Sequence, residues 1–285
     1  MKRLLILSGK GGTGKTTTAS SFIKFSNAKA MADCDVDAPN LHIVTELRGD
    51  LEKSDFLGGD KAFIDTEKCV KCGLCKEKCR FDAIEIQNSK YIVNEYNCEG
   101  CGVCEYVCPQ KAIALHEDVA GEMRLYKGDK TFSTATLKMS RGNSGKLVSK
   151  VKLNLFKNAP ETPICIVDGS PGIGCPVIAS ISGMDMALVV AEPSVSGIND
   201  LERLVKTAES LGTRLAVCVN KYDQNESKTE EIEDFCKENN IPFVGKIPYD
   251  KTASKAINQG KSVADIECKA KNALFEIYNN VIKII

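Results

Sequence analysis

The sequence predicts an α/β protein with a mainly parallel, doubly wound sheet, because short apolar runs alternate with stretches of helical spacing. Apolar runs that end in glycine-rich or polar turns predict strands at 3–7, 164–167, 186–191, 214–219 and 243–247. A further short strand is expected at 28–32. Apolar residues at three- and four-residue spacing predict helices at 15–26, 176–183, 197–211, 228–239 and 269–283.

A cysteine-rich segment interrupts this alternation between about residue 48 and residue 125. We therefore expect one domain inserted into another, with an outer domain formed by residues 1–50 and 119–285 and an insert at 58–118. Eight of the fourteen cysteines lie in the insert. The other six are scattered, several of them within apolar runs, as buried cysteines usually are.

The insert contains an internal repeat. The segment 69–86 matches 98–115 at a spacing of 29 residues, so that CVKCGLCKEKCRFDAIEI aligns with CEGCGVCEYVCPQKAIAL. We expect two similar half-modules that pack about a pseudo-two-fold axis.

The overall composition favours a globular protein of the cytoplasm. Thirty-eight basic residues balance thirty-eight acidic ones, so we expect neither nucleic acid nor stable membrane insertion. No apolar stretch approaches the roughly 20 residues of a membrane span, and the N-terminal apolar run is too short for a signal peptide. Six cations at 138–157 predict a solvated helix face, and the spacing of apolar residues at 271–285 predicts a helix packed on the sheet.

Residues 9–17, GKGGTGKTT, fit a phosphate-binding loop, because they follow an apolar strand and precede a helix. Lys15 is expected to hold the β- and γ-phosphates, and Thr16 to ligate Mg²⁺. A dinucleotide-binding G-x-G-x-x-G is contained in the same string, but it leaves the Lys-Thr pair unexplained. The loop residues expected to bind the nucleotide are Gly11, Gly12, Thr13, Gly14, Lys15, Thr16 and Thr17.

Lys10 is a second cation in the loop, at a position where a simple phosphate loop needs no charge. The string KGGTGKTT resembles the deviant phosphate loop of the ParA/MinD family, which includes the nitrogenase iron protein and Mrp-type ATPases. The resemblance implies an ATP-dependent homodimer in which Lys10 crosses to the phosphates of the partner subunit. Lys10 and Lys15 are then both catalytic. A solvated lysine on a surface loop is the alternative for Lys10.

Three carboxylates, those of Asp33, Asp35 and Asp37, follow the strand predicted at 28–32. A carboxylate at the end of that strand can orient the attacking water. The residues alone do not rank the three, whereas resemblance to the first switch of the family favours Asp35 as the catalytic group.

The strand predicted at 164–167 leads into DGSPG, which resembles the Walker B aspartate and the second switch of the family. The resemblance implies that Asp168 holds the hydration shell of Mg²⁺ and that the N–H of Gly172 contacts the γ-phosphate. Cys175 in this turn superficially resembles a cluster ligand of the nitrogenase iron protein, although the order of the surrounding residues differs.

The strand predicted at 214–219 ends in NKYD, residues 220–223, and an NKxD string recognises guanine through its aspartate in GTPases. In the ParA/MinD family the equivalent of Asn220 contacts adenine instead, and IPYD at 247–250 resembles the other wall of that pocket. The phosphate loop therefore favours ATP over GTP. A plain loop remains the alternative.

Both groups of cysteines follow C-x₂-C-x₂-C-x₃-C, which predicts two [4Fe–4S] clusters. Three cysteines at this spacing hold one cluster, and the chain carries the fourth cysteine to the other cluster. The expected ligands are Cys69, Cys72, Cys75 and Cys108 for the first cluster, and Cys98, Cys101, Cys104 and Cys79 for the second. Zinc is the alternative metal, because two C-x-x-C pairs can form a four-cysteine site.

The insert resembles the two-cluster bacterial ferredoxins, which have an α+β fold, over residues 60–116. Pro109 follows Cys108, as is common in them, whereas Arg80 replaces the proline after Cys79. With its phosphate loop and switches, the chain resembles MinD-superfamily ATPases that carry an inserted ferredoxin domain.

Three functions remain in competition. The first is an ATPase in which the nucleotide state gates electron transfer to a redox partner protein, and the position of the insert between the two switches favours it. The second is a carrier that delivers clusters to apo-proteins, although fully ligated, buried clusters do not leave readily. The third is a positioning ATPase of the MinD kind.

Overall fold

The computed structural model describes the backbone of residues 1–285 and every side chain except that of Ile257. The chain divides into two compact units, and it passes from one to the other at four points. The first unit comprises Met1–Lys53, Met123–Thr136 and Ser144–Ile285, and the second comprises Ser54–Glu122 and Leu137–Asn143.

The strands include all of those expected from the apolar runs. In chain order they are β1 (Lys2–Leu7), β2 (Ala30–Asp33), β3 (Asp50–Ile64), β4 (Ile84–Gln87), β5 (Lys90–Val93), β6 (Ile113–Lys127), β7 (Thr131–Leu137), β8 (Ile164–Asp168), β9 (Met186–Ala191), β10 (Arg214–Asn220) and β11 (Phe243–Ile247). The main sheet has the order β11-β10-β9-β1-β8-β2-β7-β6-β3, while β4 and β5 form an antiparallel hairpin. The pairs from β11 to β7 are all parallel, which confirms the predicted mainly parallel α/β sheet.

The helices expected from the sequence are present to within two residues at each end. In chain order the helices are α1 (Lys15–Ser26), α2 (Leu74–Lys78), α3 (Val103–Tyr106), α4 (Ser144–Asn158), α5 (Cys175–Ile181), α6 (Val195–Ser210), α7 (Glu226–Glu238), α8 (Lys251–Asn258) and α9 (Lys269–Ile284). Local capping explains two of the starts, because Ser194 accepts a hydrogen bond from the N–H of Gly197 and Asn225 accepts one from that of Lys228.

Strand β1 shows that the sheet is covered on both faces. Successive side chains of a strand point to opposite faces, yet residues 4–7 are all fully buried. Leu4 and Ile6 belong to a core cluster that also contains Phe22 of α1 and Leu274 of α9. The last helix therefore packs on the sheet, as its spacing predicted. Among the described residues, no helix is long and apolar enough to cross a membrane.

The long strands β3 and β6 were not predicted. Each has 15 residues and continues from one unit into the other. Most residues of β3 are exposed, and charged residues and glycines interrupt its apolar ones, so the segment has neither an apolar run nor a clear alternation.

The cationic block at 138–157 was predicted to be a solvated helix face, and this is wrong for two of its cations. Lys152 of α4 is buried and donates hydrogen bonds to the carbonyl oxygens of residues 179, 180 and 182, at the end of α5. Arg141 pairs with Glu95 at 2.6 Å and with Asp118 at 2.7 Å. Carbonyl groups at a helix C-terminus and a pair of carboxylates supply the partners that make burial of these cations possible.

The second unit has its own small core. It contains Ala62, Ile64, Ala83, Ile84 and Ile113 together with several of the cysteines. The short helices α2 and α3, which carry equivalent positions of the repeat, contact each other.

Candidate nucleotide site and cysteine-lined cavities

The loop between β1 and α1 has the backbone of an anion-binding loop. Gly12 and Gly14 have φ values of 80° and 97°, in the left-handed region that favours glycine. A Cβ atom at Gly14 would lie 2.3 Å from Asn220 Nδ2, so the loop packs directly against the end of β10. No side chain caps the N-terminus of α1 among the described residues, which leaves its first N–H groups to a ligand.

Lys15 and Thr16, at the start of α1, both contact Asp168. Lys15 Nζ donates to Asp168 Oδ1 at 2.6 Å, and Thr16 Oγ1 donates to Asp168 Oδ2 at 2.6 Å. Burial lowers the pKa of Lys15, but the charge and hydrogen bond of Asp168 and the charges of Asp33 and Asp35 raise it overall. The ammonium group is therefore held in its charged form.

The three carboxylates after β2 lie in different surroundings. Asp33 is fully buried and accepts hydrogen bonds from the N–H groups of Asp35, Asn40 and Leu41, so it fixes the loop that follows β2. Asp37 is exposed. Asp35 lies 4.0 Å from Lys15 Nζ and lines a cavity together with Lys15 and Thr16. Of the three carboxylates, that of Asp35 alone is among the described residues that line this cavity.

The charges at this point fit a divalent cation. Burial and the charge of Asp168 raise the pKa of Asp33 to about 7, and burial also raises that of Asp35. The carboxylates of Asp168 and Asp35 lie 2.6 Å and 4.0 Å from the ammonium group of Lys15, and an oxygen-rich site with more than one carboxylate suits Mg²⁺. In the loop itself, the buried hydroxyl of Thr13 has no hydrogen-bond partner among the described residues.

In the turn after β8, the backbone N–H of Gly172 is hydrogen-bonded within the chain. Gly172, at φ 94°, donates its N–H to the carbonyl oxygen of Ser8 at 3.0 Å, so in this conformation the group does not face a phosphate. Pro171 lines the cavity that contains Asp35. Cys175 is exposed at the start of α5.

Lys10 lies on the outer side of the loop and contacts the turn between β9 and α6. Its Nζ atom lies 2.6 Å from Glu192 Oε2 and 3.2 Å from Ser196 Oγ. Sequence reasoning missed Glu192. The signal was available, because Glu192 directly follows the strand predicted at 186–191 and so belongs at the same end of the sheet as the phosphate loop.

A second cavity lies beside the loop and has the walls expected of a base pocket. Asn220 and the segment 247–250 line it together with Gly12, Gly14 and Thr17. Asn220 Nδ2 donates to the carbonyl oxygen of Thr13 at 2.7 Å, which joins this pocket to the loop. Asp223 accepts a hydrogen bond from the N–H of Tyr249 at 2.8 Å and is not among the described residues that line the pocket.

The second unit contains two similar cavities, and four cysteines line each of them. Each cavity takes three cysteines from one copy of the repeat and the fourth from the other copy. The first is lined by Cys69, Cys72, Cys75 and Cys108. The second is lined by Cys79, Cys98, Cys101 and Cys104.

Backbone N–H groups contact three of these sulfur atoms. Ala83 donates to Cys79 Sγ at 3.4 Å, and Ala112 donates to Cys108 Sγ at 3.3 Å, in equivalent positions of the repeat. Ala62 donates to Cys98 Sγ at 3.5 Å. Burial raises the pKa of the Cys104 thiol to about 11, and the neighbouring thiols contribute to this rise. No three His, Cys, Asp or Glu side chains of the described residues are grouped closely enough to hold a single metal ion.

The two cavities are not lined identically. Tyr91 lines the first cavity, whereas Ala62, which stands 29 residues earlier in the repeat, lines the second. Sequence reasoning did not assign Tyr91, although extending the alignment of the repeat back to residue 62 would have revealed the difference.

The chain matches one family model and several proteins over nearly its whole length. The model described as "CobQ/CobB/MinD/ParA nucleotide binding domain" matches residues 4–263. An uncharacterized protein of Methanocaldococcus jannaschii is 30% identical over 98% of this chain and 96% of its own length. An uncharacterized ATP-binding protein of the same organism is 25% identical over 96% of this chain and 85% of its own.

A solved structure has a similar fold. The septum site-determining protein MinD of Pyrococcus horikoshii, complexed with Mg-ADP, superposes with a TM-score of 0.58 over 99% of this chain and 96% of that one. The sequences are 16% identical, so this likeness concerns the fold alone.

Proposed function

Because this chain belongs to the CobQ/CobB/MinD/ParA family of P-loop ATPases, we propose that it binds and hydrolyses ATP with Mg²⁺ and carries two [4Fe–4S] clusters in its cysteine-lined cavities. In this proposal the nucleotide state is coupled to electron transfer to a redox partner protein. The observation that carries the iron–sulfur part is the division of eight cysteines between two cavities, three and one from each copy of the repeat.

The nucleotide part of the proposal assigns a role to each candidate site residue of the first unit. Lys15 and the backbone of residues 11–14 bind the β- and γ-phosphates, while Thr16 and Asp168 hold Mg²⁺, which would neutralise the charge of the phosphates. Asp35 orients the attacking water, because it lines the same cavity as Lys15 and Thr16.

The choice of ATP over GTP is supported by the bonding of Asp223. In GTPases the aspartate of NKxD recognises guanine. Asp223 instead accepts the N–H of Tyr249 and is not among the described residues that line the pocket. Asn220, which lines the base pocket, is the residue proposed to contact adenine.

ATP-dependent dimerisation is the part of the proposal that concerns Lys10. Its side chain is partly exposed beside the phosphate loop, and we assign it to the phosphates of a partner subunit. Apolar side chains that follow β2, β8 and β9 are exposed at this end of the sheet, those of Ile43, Ile173 and Val195. Two copies of the chain that met at this end would bury them.

Each cavity of the second unit fits a multi-iron cluster. A cluster occupies space of its own and separates its ligands, so it needs four thiolates around a cavity rather than four sulfur atoms in contact. Such clusters supply one-electron transfer. Six of the eight cysteines pack among apolar side chains such as Ile64 and Ile84, which limit access of water, whereas Cys72 and Cys101 are exposed. Backbone N–H groups donate to some of the sulfur atoms.

The test is anaerobic purification followed by iron analysis and EPR of the reduced protein, with and without Mg·ATP. We expect about eight iron atoms per chain, and an ATP affinity that differs between the oxidised and reduced protein by about 5-fold or more. Lys15→Ala is the control, because it should keep the iron and lose the response to ATP. Equal ATP affinities and unchanged potentials would contradict the coupling, whereas cluster transfer to an apo-ferredoxin would favour a carrier. A protein without iron would leave a positioning ATPase.

A further inference from the structure

Glu192 lies between two lysines that flank the phosphate loop. One of its carboxylate oxygens lies 2.6 Å from Lys10 Nζ, and the other lies 3.8 Å from Lys221 Nζ. Lys10 also contacts Ser196 Oγ at 3.2 Å, whereas Lys221 also donates to the carbonyl oxygen of Gly12 at 3.4 Å. Glu192 is therefore an acidic partner shared by the two lysines.

The backbones on both sides of this ion pair are fixed. Ser8 Oγ donates to the carbonyl oxygen of Lys10 at 2.9 Å, and a Cβ atom at Gly9 would lie 2.2 Å from Asp200 Cβ of α6. On the other side, a Cβ atom at Gly197 would lie 2.2 Å from the carbonyl oxygen of Glu192. Separation of Lys10 from Glu192 therefore needs a movement of one of the two side chains, which are 39% and 23% exposed.

We propose that Glu192 is a positioning residue that retains Lys10 in its own subunit and so sets how readily ATP drives dimerisation. This inference rests on the proposed role of Lys10 at the phosphates of a partner subunit. The ammonium group of Lys10 cannot pair with Glu192 and with the triphosphate of a partner subunit at the same time. The carboxylate of Glu192 therefore competes with the triphosphate for Lys10. Formation of a symmetric dimer breaks this ion pair twice.

The size of the effect follows from the exposure of the pair. Exposed ion pairs are individually weak, so Lys10 can exchange partners without a large barrier. Two such pairs per dimer correspond to a change of about 2- to 30-fold in a dissociation constant. The ion pair between Lys10 and Glu192 therefore adjusts the concentration at which the dimer forms and does not prevent its formation.

The experiment measures the dimer dissociation constant of the full chain by sedimentation with saturating Mg·AMP-PNP. Glu192→Gln keeps the size of the side chain and removes its charge, so we expect dimerisation to tighten about 2- to 30-fold. Glu192→Asp keeps the charge and should remain close to the wild-type value. Glu209→Gln, at the exposed far end of α6, is the matched control.

A second background separates this inference from the proposed function. Glu192→Gln should have no effect when Lys10→Met is present, because the ion pair no longer exists. If Lys10→Met abolishes the dimer and Glu192→Gln leaves it unchanged or weakens it, the role of Glu192 is overturned and that of Lys10 stands. If Lys10→Met dimerises as the wild type does, the assignment of Lys10 fails and the role of Glu192 fails with it.

Discussion

Asp223 and Tyr249 are joined by a hydrogen bond of 2.8 Å from the backbone N–H of Tyr249 to Asp223 Oδ1. This bond ties the loop after β10 to the loop after β11, and both loops contribute to the base pocket. The carboxylate of Asp223 thus stabilises the wall of the pocket rather than binding the base.

The first prediction concerns this bond. Asp223→Ala should weaken ATP binding about 5-fold, because the wall loses one hydrogen bond, and it should not alter the preference for ATP over GTP. Calorimetric titration with both nucleotides measures the two affinities. A wild-type protein that binds GTP more tightly, and loses only GTP in the variant, would contradict the assignment of the pocket to adenine.

The second prediction concerns hydrolysis. Asp35→Ala should reduce the rate of ATP hydrolysis by about 10²- to 10⁴-fold and leave ATP affinity nearly unchanged, because it removes a water-orienting group and keeps the phosphate loop. Asp37→Ala is the matched control, since that carboxylate is exposed. Phosphate release and nucleotide binding are measured separately. Equal rates in the two variants would remove Asp35 from the mechanism.

The third prediction concerns the crossed cysteines. Cys79→Ser should damage the cluster held by Cys98, Cys101 and Cys104, because Cys79 lines that cavity although it belongs to the first copy of the repeat. EPR of the reduced variant should retain the signal of the other cluster. The control is Cys175→Ser, which changes an exposed cysteine outside the second unit and should keep about eight iron atoms. Stoichiometric zinc in the wild type would refute the assignment.

The fourth prediction concerns pH. The pKa of Asp33 is raised to about 7 by burial and by the charge of Asp168, whereas the pKa of an aspartate in the unfolded chain is about 4. Between these values the folded state binds more protons than the unfolded state, so the free energy of unfolding falls as pH rises through this window. Asp33→Asn should be less sensitive to pH than the wild type in urea denaturation at about pH 5 and about pH 8. Asp37→Asn should retain the wild-type dependence.

The fifth prediction concerns the buried cation of α4. Lys152→Met removes the donor to three carbonyl oxygens at the end of α5 and should lower the free energy of unfolding by about 1–3 kcal/mol. Lys146→Met, on the exposed side of the same helix, should change it by less than about 0.5 kcal/mol. Denaturation in urea measures both. Equal effects would mean that Lys152 contributes no more than a surface lysine.

The sequence was sufficient for the elements that bury apolar side chains. Strands such as β1 and β9 are continuous apolar runs because both faces of the sheet are covered, and the parallel α/β fold follows from their alternation with helices. The strands β3 and β6 escaped prediction because the residues of β3 are largely exposed and those of β6 are largely half-buried, so tertiary pairing rather than local pattern determines them.

The candidate site was predictable where spacing carries the chemistry and not where distant residues meet. The phosphate loop and the cysteine groups are contiguous strings, so their residues could be named from the sequence. Asp33 and Asp35 are two positions apart, and only the fold distinguishes a carboxylate bound by backbone N–H groups from one that lines the cavity. The partner of Lys10, Glu192, is 182 residues away in the chain.

The sharing of cysteines between the two copies of the repeat limits how the cysteine-rich segment could have evolved. Neither copy supplies all four cysteines of a cavity, since Cys79 and Cys108 each line the cavity of the other copy. An ancestor with a single copy could complete its cavities only by pairing with a second molecule. A single chain that contains both copies makes that partnership permanent, and loss of either copy would remove at least one cysteine from each cavity.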